Sequence, residues 1–468
     1  MAGLSSALNI GSIGLLTNQK CLEVCGNNVS NVSTPGYSRQ TVTLSTAPTL
    51  SINGNFVGQG AIASSIEREQ DLFITRQLAS KKATLGEAEA QTLSLAEVEN
   101  VFPVDDNSLA SAIDNFFAAW QDLSAAPEGD VERSQVLQEG AALATSLNNM
   151  DAELSDIQDS LNTSIEGKVG EINDNLSTLA DLNVRIVAAE ARGDTANGLR
   201  DQRDLLVQEI TAAIGGTSYE SSDGMVTLLT PRGLPLVDGD TVGTLVTDRV
   251  DGMAQVSIRV GSTETALDQE TIGGALKGLL TVRDETIPSL RDALDQLACQ
   301  LAESVNTIQS GGIDLDGGTG NDFFSIDTSG APAATPWTGA AGSIAVALTD
   351  GSQVAAGTIA SPDNLAGDNT NALAMLELQD AQSMGGTTCF TDYYSKIATE
   401  AGSAVEQNTL AVSGAEDSLE QLQSLRDSTL GVSVEEEMLQ LVQFQTAFEA
   451  SAKYITAIND MMDSLLAM

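Results

Sequence analysis

The stretch NNVSNVSTPGYSRQ, residues 27–40, ends a predicted N-terminal helix, and the rest of the chain is interpreted outward from it. Asn27 and Asn28 favour the end of a helix because their side-chain amides compete for backbone hydrogen bonds. Pro35 and Gly36 predict a tight turn, since glycine tolerates the positive φ that such turns require. We interpret the stretch as a contact loop that follows a terminal helix. Its candidate assembly residues are Asn27, Asn28, Asn31, Thr34, Pro35, Gly36, Tyr37, Arg39 and Gln40.

The N-terminal helix is predicted over residues 4–29 and carries an apolar residue at nearly every seventh position. Gly11 and Cys25 fill alternate positions of the same stripe, and Asn18 interrupts it. A stripe with this spacing is typical of a coiled-coil seam. Because a single helix cannot bury such a stripe by itself, the sequence predicts a partner helix. The predicted N-terminal seam consists of Leu4, Leu8, Leu15, Leu22 and Val29.

The partner helix is predicted at the other end of the chain, over residues 433–466, which contain no proline or glycine. Ser433 can cap its start, and three glutamates follow in the first turn, where the helix dipole favours acidic side chains. Gln445 and Asn459 interrupt its apolar stripe. We infer that the two terminal helices pair with each other or with those of further copies. The predicted C-terminal seam consists of Met438, Leu441, Phe448, Ala452, Ile455, Met462 and Leu466.

The middle of the chain predicts long helices around a small β region. Residues 217–267 are rich in Val, Thr and Gly, and their alternating pattern with Asp-Gly turns predicts strands. The fold class is therefore mainly α with an inserted β domain: paired terminal coiled-coil helices, a shell of long bundled helices and a small outward-facing β domain. Further helices are predicted over residues 71–101, 154–192, 199–214, 287–308 and 392–430.

These patterns divide the chain into nested segments. The N-terminal helix and contact loop, residues 1–50, are predicted to pair with the C-terminal helix, residues 431–468. A helical domain between them is predicted in three parts, and it encloses the β domain and a region of Gly/Ala-rich loops with a β hairpin. The three helical parts are residues 51–214, 271–325 and 368–430, the β domain is residues 215–270, and the loop region is residues 326–367.

Charge and composition exclude several classes of function. The 21 basic and 65 acidic residues give a formal net charge of −44. Nucleic acid and anionic membrane surfaces are poor partners for such a chain. No apolar run is long enough to span a membrane, and the N-terminus lacks the charged region and cleavage site of a secretory signal peptide. The acidity is interpreted mainly as a means of solubility or an adaptation to a salty environment.

Catalytic, metal and cofactor sites are not predicted. The chain has no histidine, which removes the commonest general base and metal ligand. Cys21 and Cys25 share a helix face without two further zinc ligands, so we interpret them as small buried apolar side chains. No phosphate-binding or dinucleotide-binding fingerprint occurs. The chain is therefore predicted not to be an enzyme and to need no cofactor.

Two further stretches leave alternatives open. GGTGNDFFS, residues 317–325, fits the nonapeptide of calcium-binding β-rolls, but such rolls need several stacked repeats. A glycine-rich connection is the favoured interpretation, and calcium binding is the alternative. LRDQRDLLVQEI, residues 199–210, mixes Arg and Asp and predicts either an ordinary surface ion pair or an internal or intersubunit contact.

NNVSNVSTPGYSRQ resembles the signature shared by the axial proteins of the bacterial flagellum, which are its rod, hook and hook-associated proteins. The ending TPGYSRQ resembles the hook-associated protein 1 family in particular. Other stretches resemble this family in the same order along the chain. They are GQGAIASSIEREQDLFITRQL (58–78), LRDQRDLLVQEI (199–210), GGALKGLLTVRDETIPSL (273–290), GIDLDGGTGNDFF (312–324) and GVSVEEEMLQLVQFQTAFEASAKYITAINDMMDSLL (431–466).

The resemblance implies a structural subunit that joins the flagellar hook to the filament. It implies terminal helices in an inner tube around the export channel, a second shell of helices and an outward β domain. The implied partners are copies of itself in a ring, the hook protein, a second hook-associated junction protein and a cytoplasmic export chaperone at the C-terminal region. The implied location is the extracellular hook–filament junction, after uncleaved export by the flagellar type III pathway.

Two other functions stay open on the sequence. The first is another flagellar axial protein, such as a hook, rod or flagellin-like subunit. TPGYSRQ disfavours flagellin, while the β insertion and the length disfavour a small rod protein. The second is a secreted calcium-binding adhesin that carries an axial-type export signal, and only GGTGNDFFS supports it.

Overall fold

The long helix α4, Asp130–Glu190, is the central element of the molecule. A computed structural model describes residues 2–52, 55–358 and 367–467 of the chain. At a rise of ~1.5 Å per residue, the 61 residues of α4 extend about 90 Å. Its buried side chains recur with helical spacing from Val136 to Ile186, so one face of α4 is covered along nearly its whole length.

The order of elements confirms the predicted fold class, mainly α with an inserted β domain. The helices are α1 Ala2–Ser30, α2 Leu72–Asn100, α3 Leu109–Ala125, α4 Asp130–Glu190, α5 Asn197–Ile214, α6 Gly274–Thr281, α7 Ile287–Gly311, α8 Ala340–Ser343, α9 Thr370–Asp380, α10 Phe390–Leu430 and α11 Val434–Leu466. The strands are β1 Gln40–Thr46, β2 Leu50–Ile52, β3 Asn55–Val57, β4 Ala61–Arg68, β5 Thr217–Glu220, β6 Val226–Leu229, β7 Pro235–Asp238, β8 Thr241–Val242, β9 Thr244–Val250, β10 Met253–Val260, β11 Thr263–Leu267, β12 Phe324–Ser325 and β13 Ala345–Val346.

The inserted β domain consists of two antiparallel sheets between α5 and α6, with strand orders β5-β6-β7-β8 and β9-β10-β11. Asparagines 10 or 11 residues apart dock these sheets on α4, and this spacing of about three turns keeps them on one face. Asn183 exchanges two hydrogen bonds with the backbone of Val226, and Asn173 does the same with Leu245. The asparagine row, Asn162, Asn173 and Asn183, thus attaches the β domain through backbone groups.

Asn162, the remaining asparagine of the row, also binds a segment where the helix geometry changes. Val282–Thr286 is a π-helical segment that joins α6 to α7 without a gap. Within it, Arg283 donates to Asn162 Oδ1 at 3.0 Å, and Gln158 donates to the Arg283 carbonyl at 2.9 Å. The sequence predicted a separate helix with Pro288 in its first turn. The helix is instead continuous with α6, because the π-helical turn accommodates a residue that lacks a backbone N–H.

A cluster of aromatic rings lies between α3 and the chain that follows α7. Phe116, Phe117 and Trp120 come from α3, while Phe323 and Phe324 come from the GGTGNDFFS stretch. All five are nearly inaccessible, and neighbouring centroids lie between 4.8 and 6.3 Å apart. The cluster contains four of the chain's ten Phe and one of its two Trp, so it concentrates a large share of the aromatic packing in one place.

The same stretch serves as a glycine-rich connection. Asp314 Oδ1 accepts hydrogen bonds from the backbone of Asp316 at 3.0 Å and of Gly318 at 2.7 Å, which closes a turn after α7. Gly320 packs directly against the carbonyl of Gln309, where a side chain would collide. The described residues contain no group of three His, Cys, Asp or Glu side chains arranged to hold a metal ion.

The two ends of the chain form an antiparallel pair. α1 lies along α11, with Asn28 opposite Glu437 at one end and Leu4 beside Met461 at the other. α2 and α10 also pack against each other. Within the described part of the chain, no helix has both the length and the apolar character needed to cross a membrane.

Residues 51–68 differ from the prediction, which assigned them to the helical domain. They form β2, β3 and β4, and β4 pairs with β1 so that Ile66 faces Val42 across the ladder. The β-branched Ile62 and Ile66 and the partial burial along Ala61–Arg68 suit a half-covered strand. The contact loop is therefore followed by a β hairpin before the helical body begins.

The start of the helical body also differs from the prediction. α3 was not predicted, and α4 begins at Asp130, well before the predicted residue 154. Gly140 lowers the helix propensity of this region. In the structure a methyl group at Gly140 would come within 2.6 Å of Phe323, so the aromatic cluster requires a glycine inside the helix.

The loop region predicted over residues 326–367 contains short elements. β12 and β13 pair with Phe324 opposite Val346, which gives a two-stranded hairpin that begins just before the predicted boundary. Buried Asp295 accepts hydrogen bonds from the backbone of Gly339 and Ala341 and holds the region against α7. Residues 359–366 of this predicted segment lie outside the described residues.

Candidate functional site

The contact loop begins with the turn that the sequence predicted. α1 ends at Ser30, and the backbone N–H of Thr34 donates to the Asn31 carbonyl at 2.9 Å. The N–H of Tyr37 then donates to the Thr34 carbonyl at 3.2 Å across Pro35 and Gly36. Gly36 has φ of 78°, a conformation that suits glycine, so the Pro-Gly pair turns the chain back towards α1.

Asn28 is the most buried residue of the contact loop, with 1% of its surface exposed. Its Nδ2 donates to the Gln40 carbonyl at 2.9 Å and to Glu437 Oε2 at 3.0 Å. Its Oδ1 accepts from the Tyr37 hydroxyl at 2.8 Å and from the Gln40 N–H at 3.0 Å. One side chain thus joins the last turn of α1, the end of the loop and the first turn of α11.

Arg39 completes this arrangement with a charge pair. Its Nε donates to Glu437 Oε1 at 2.8 Å, and its Nη1 lies 3.5 Å from Glu436 Oε2. Glu437 is 1% exposed, so its carboxylate depends on Arg39 and Asn28 for compensation. Burial alone lowers the pKa of Arg39, but the hydrogen bond and charge of Glu437 raise it above its usual value. We call Asn28, Tyr37, Arg39, Gln40 and Glu437 the terminal junction.

The surroundings of the terminal junction also raise the pKa of two groups that ionise at high pH. Burial and the charges of Asp201 and Glu437 raise the pKa of Tyr37 to about 12. Burial and Glu437 raise the pKa of Cys25 to about 11. Both side chains therefore stay protonated at neutral pH, and Cys25 packs beside Gln440 as a neutral thiol.

A second set of contacts ties the loop to the helical body. The Ser38 N–H donates to Asp201 at 3.3 Å, and Arg68 bridges Asp201 and Asp204 at 3.1 and 2.6 Å. Arg426 of α10 donates to the Tyr37 carbonyl at 3.4 Å. The aspartates belong to the LRDQRDLLVQEI stretch, so that stretch makes an internal contact rather than an isolated surface ion pair.

The remaining loop residues form an outer, more exposed layer. Asn31 Nδ2 donates to Asn27 Oδ1 at 2.8 Å, and the Thr34 hydroxyl donates to Asn31 Oδ1 at 3.2 Å. The Tyr37 hydroxyl also lies 3.2 Å from Asn27 Oδ1. Thr34 and Pro35 are exposed, so the predicted loop residues separate into a buried polar centre and an exposed tip.

The predicted N-terminal seam is half-buried at all five of its positions, which are Leu4, Leu8, Leu15, Leu22 and Val29. Leu4 lies beside Met461 of α11. The contacts with α11 also include smaller and more polar side chains. A methyl group at Gly11 would come within 2.8 Å of Ile455, and one at Gly14 would come within 3.3 Å of Ser451. The contact residues on α1 include Gly11, Gly14, Asn18, Cys25 and Asn28.

The predicted C-terminal seam agrees at five of its seven positions with the half-buried side of α11. These positions are Leu441, Phe448, Ala452, Ile455 and Met462.

The other two positions of that seam are exposed in the single chain, Met438 at 50% and Leu466 at 76%. Glu437 takes the inward position next to Met438 because Arg39 and Asn28 bind its carboxylate. Leu466 is the last residue of α11, where the helix ends.

Sequence reasoning missed Glu437, Asp201, Arg68 and Arg426 as members of the site. Glu435, Glu436 and Glu437 look equivalent in the sequence, where all three suit the first turn of a helix. Only the fold buries one of them, Glu437, against an arginine almost 400 residues away, while Glu436 stays exposed at the edge of that pair. The arrangement joins chain segments through buried hydrogen bonds and charges, which suits a mechanical or assembly role.

Similar proteins agree with this architecture. A family model described as "Flagellar hook-associated protein FlgK helical domain" matches residues 95–324. A second, "Flagellar basal body rod FlgEFG protein C-terminal", matches residues 427–468. Flagellar hook-associated protein 1 of Bacillus subtilis is 28% identical, and the alignment covers 97% of this chain and 96% of the relative. The Escherichia coli protein of the same name is 27% identical over 99% of this chain and 100% of its own.

The chain is similar over nearly its whole length to relatives named flagellar hook-associated protein 1. A solved structure titled as the flagellar hook junction protein FlgK from Burkholderia pseudomallei shares its fold. That similarity has a TM-score of 0.69 at 17% identity and covers 76% of this chain and 100% of the other. The alignment with the Escherichia coli relative spans 551 positions, so that relative carries segments which this 468-residue chain lacks.

The similarity to flagellar hook-associated protein 1 supports a structural role in the flagellar axis. These relatives are structural flagellar proteins and not enzymes. The chain is accordingly a structural component of the flagellar axis, located in the flagellum and in contact with other axial components. The terminal junction is the best-defined polar site in that framework.

Proposed function

We propose that this chain joins the flagellar hook to the filament as a self-assembling subunit around the export channel. The observation that carries the proposal is the extent of the similarity. The alignments with the Bacillus subtilis and Escherichia coli proteins cover 97% and 99% of the chain, and thus both terminal helices and the helical body. A protein that shared only an export signal with this family would match at one end alone.

The terminal junction supports the assembly part of the proposal. Asn28, Arg39 and Glu437 hold α1 and α11 in one register, so the two helices can enter an assembly as a single preformed unit. Large apolar side chains remain exposed on the outer side of α11, among them Leu439, Val442 and Leu465. Contiguous exposed apolar side chains favour burial against neighbouring subunits.

The proposed partners follow from this position in the flagellum. They are further copies in a ring, the hook protein, the second hook-associated junction protein, and an export chaperone at the C-terminal region before secretion. We also propose uncleaved export by the type III pathway to the extracellular junction. In this arrangement, residues 1–50 and 431–468 line the inner tube and residues 215–270 face outward.

Immunogold labelling of intact flagella with an antibody to residues 215–270 tests the function. We expect one tight band of gold where the hook meets the filament. Label along the whole filament would instead indicate a flagellin-like subunit. Label absent from flagella would overturn the proposal.

The charge of the chain predicts that assembly depends on ionic strength. Copies that each carry −44 repel one another, and salt shortens the range of that repulsion to about 8–10 Å near physiological strength. We therefore expect ring formation by the purified chain to increase with salt or divalent cations. Light scattering across a salt series measures this, and equal assembly at very low ionic strength would contradict it.

A further inference from the structure

The first turns of α2 expose apolar and basic side chains together. Leu72 is 56% exposed and Phe73 is 67% exposed. Arg76 and Lys81 are exposed as well, and neither has a carboxylate within ion-pair distance in the described part of the chain. Leu72 and Arg76 are four residues apart and lie along one row of the helix surface. Phe73 and Lys81 are eight residues apart and lie along the adjacent row. We call these four residues the basic face.

The basic face is unusual for this chain. Only 21 of its residues are basic against 65 acidic ones, and most of the basic side chains form ion pairs within the fold. Two unpaired cations next to an exposed Phe and Leu therefore leave both charge and apolar area available. A partner for this face needs acidic groups beside apolar ones.

The first turns of α11 expose a surface of this kind. Val434, Met438, Leu439 and Val442 are between 43% and 63% exposed. Glu435 is exposed in the row that also contains Leu439, while Val434, Met438 and Val442 form the adjacent row. We call these five residues the acidic face. Its inner neighbour Glu437 is already occupied by Arg39, so the acidic face points away from α1.

The two faces lie at the same level of the molecule. Thr75 and Leu78 of α2 line one cleft together with Arg426 and Leu430 at the end of α10. α11 begins only four residues after Leu430. A neighbouring copy displaced sideways can therefore bring its acidic face against the basic face of the first.

We propose that the basic face of one copy binds the acidic face of the next copy. The contact joins two different surfaces, so it is heterologous and can continue around a ring or along a helical stack. Phe73 and Leu72 would pack against Met438, Leu439 and Val442, and Arg76 and Lys81 would compensate Glu435. This inference rests on the proposed self-assembly and names the surfaces that carry it.

Charge reversal tests the contact with the full-length chain. One variant carries Arg76→Glu with Lys81→Glu, and a second carries Glu435→Lys with Val434→Lys. Each alone should lower self-association at least tenfold in sedimentation velocity, at a salt concentration where the wild type forms oligomers. An equimolar mixture of the two should restore association, because each copy then meets a complementary face on both sides.

The matched control reverses two exposed cations elsewhere, with Arg185→Glu on α4 and Lys396→Glu on α10. It makes the same change in net charge as the first variant, so equal loss of association in both would overturn the proposal. Circular dichroism and thermal unfolding should match the wild type in all variants. Failure of the mixture to recover would also count against the contact.

Cysteine cross-linking gives an independent measurement of proximity. One chain carries Phe73→Cys and another carries Leu439→Cys, both with Cys299→Ser and Cys389→Ser, while buried Cys21 and Cys25 remain. Mild oxidation should produce a disulfide-linked dimer from the mixture. Leu93→Cys on the same helix, 71% exposed in the wild type, should not cross-link with the Leu439→Cys chain.

The outcomes separate this contact from the proposed function. Oligomers of the wild type with no specific 73–439 cross-link would overturn the contact, whatever the position of the protein in the flagellum. A wild type that never forms oligomers would overturn it too. Immunogold label away from the junction would instead overturn the junction role, while the cross-link could still establish this contact between copies.

Discussion

The helical body and the terminal pair use long helices in opposite ways. α4 is buried along one face by hydrophobic side chains, from Val136 to Ile186. α11 is 33 residues long, yet its only buried residues are Glu437 and Ile458. In both regions a buried asparagine joins separate segments of the chain through hydrogen bonds, Asn183 in the body and Asn28 at the terminal junction. The body thus rests on one continuous apolar core, whereas the terminal pair buries far fewer apolar side chains and adds a few buried polar contacts.

A large-to-small change in the body should break its packing. Phe323→Ala removes a fully buried ring from the aromatic cluster and should lower the free energy of unfolding by about 3–5 kcal/mol. Denaturant titration followed by circular dichroism measures the loss. Phe56→Ala is the control, because Phe56 is 79% exposed, and it should change stability by less than about 0.5 kcal/mol. Similar losses in both variants would contradict a core role for the cluster.

Removal of the arginine at the terminal junction should affect only the terminal pair. Arg39→Ala leaves the Glu437 carboxylate buried without its cation, which should destabilise the terminal pair by about 2–3 kcal/mol. This loss is smaller than for a fully buried ion pair because the Arg39 side chain is partly accessible to solvent. Amide hydrogen exchange in α1 and α11 should then accelerate about 30- to 150-fold. Exchange in α4 should not change.

The control for that change is Lys20→Ala. Lys20 pairs with Glu23 on the exposed side of α1, and such surface pairs contribute under about 1 kcal/mol. If Arg39→Ala accelerated exchange in α4 as much as in α11, the body and the terminal pair would form one cooperative unit, and the contrast between them would fail.

The asparagine row should be less costly to disrupt than the aromatic cluster. Asn183→Ala removes the side-chain partners of the buried Val226 N–H and carbonyl. The free energy of unfolding should fall by about 1–3 kcal/mol. Asn149→Ala, on an exposed position of the same helix, is the matched control. Thermal unfolding of both variants measures the difference. No difference between them would mean that the β domain docks without the row.

The smallest effect is expected at high pH. The pKa of Tyr37 is about 12 in the folded chain, above its usual value near 10, so the folded state holds this proton more tightly. The resulting stabilisation is present below pH 10 and is lost as the pH rises from 10 towards 12. Limited proteolysis of α11 across this range should show release in the wild type.

The comparison for the pH experiment is Tyr37→Phe in a Cys25→Ser background. Cys25 titrates in the same range, with a pKa of about 11, and the serine removes its contribution. The phenylalanine variant should be cleaved somewhat faster at neutral pH and should show a flatter pH dependence. An identical pH profile for Tyr and Phe would exclude Tyr37 as the titrating group.

Most helices could be predicted from the sequence because their signals are local. Ser433 caps α11 and Asp71 caps α2, and both helices begin within one residue of the predicted position. The turn at Pro35 and Gly36 is equally local. The β hairpin of residues 40–68 was missed because its pairing depends on strands that are separated along the chain.

The polar centre of the site could be predicted only in part. Asn28 and Arg39 were identified because they lie in the contact loop, but their partner Glu437 was not distinguished from its two neighbours. The asparagine row did leave a signal, since Asn162, Asn173 and Asn183 recur on one face of an otherwise apolar helix stripe. Such a regular polar position inside a buried stripe indicates a docking site for backbone groups.

The antiparallel arrangement of α1 and α11 has a mechanical consequence. Both helices connect to the body at the same end, through Ser30 and Val434. Any force that the body exerts on the pair therefore pulls the two helices apart from that end, one turn after another, rather than sliding them past each other. Asn28, Arg39 and Glu437 lie at the point where such a load enters, and they are the first contacts that it has to break.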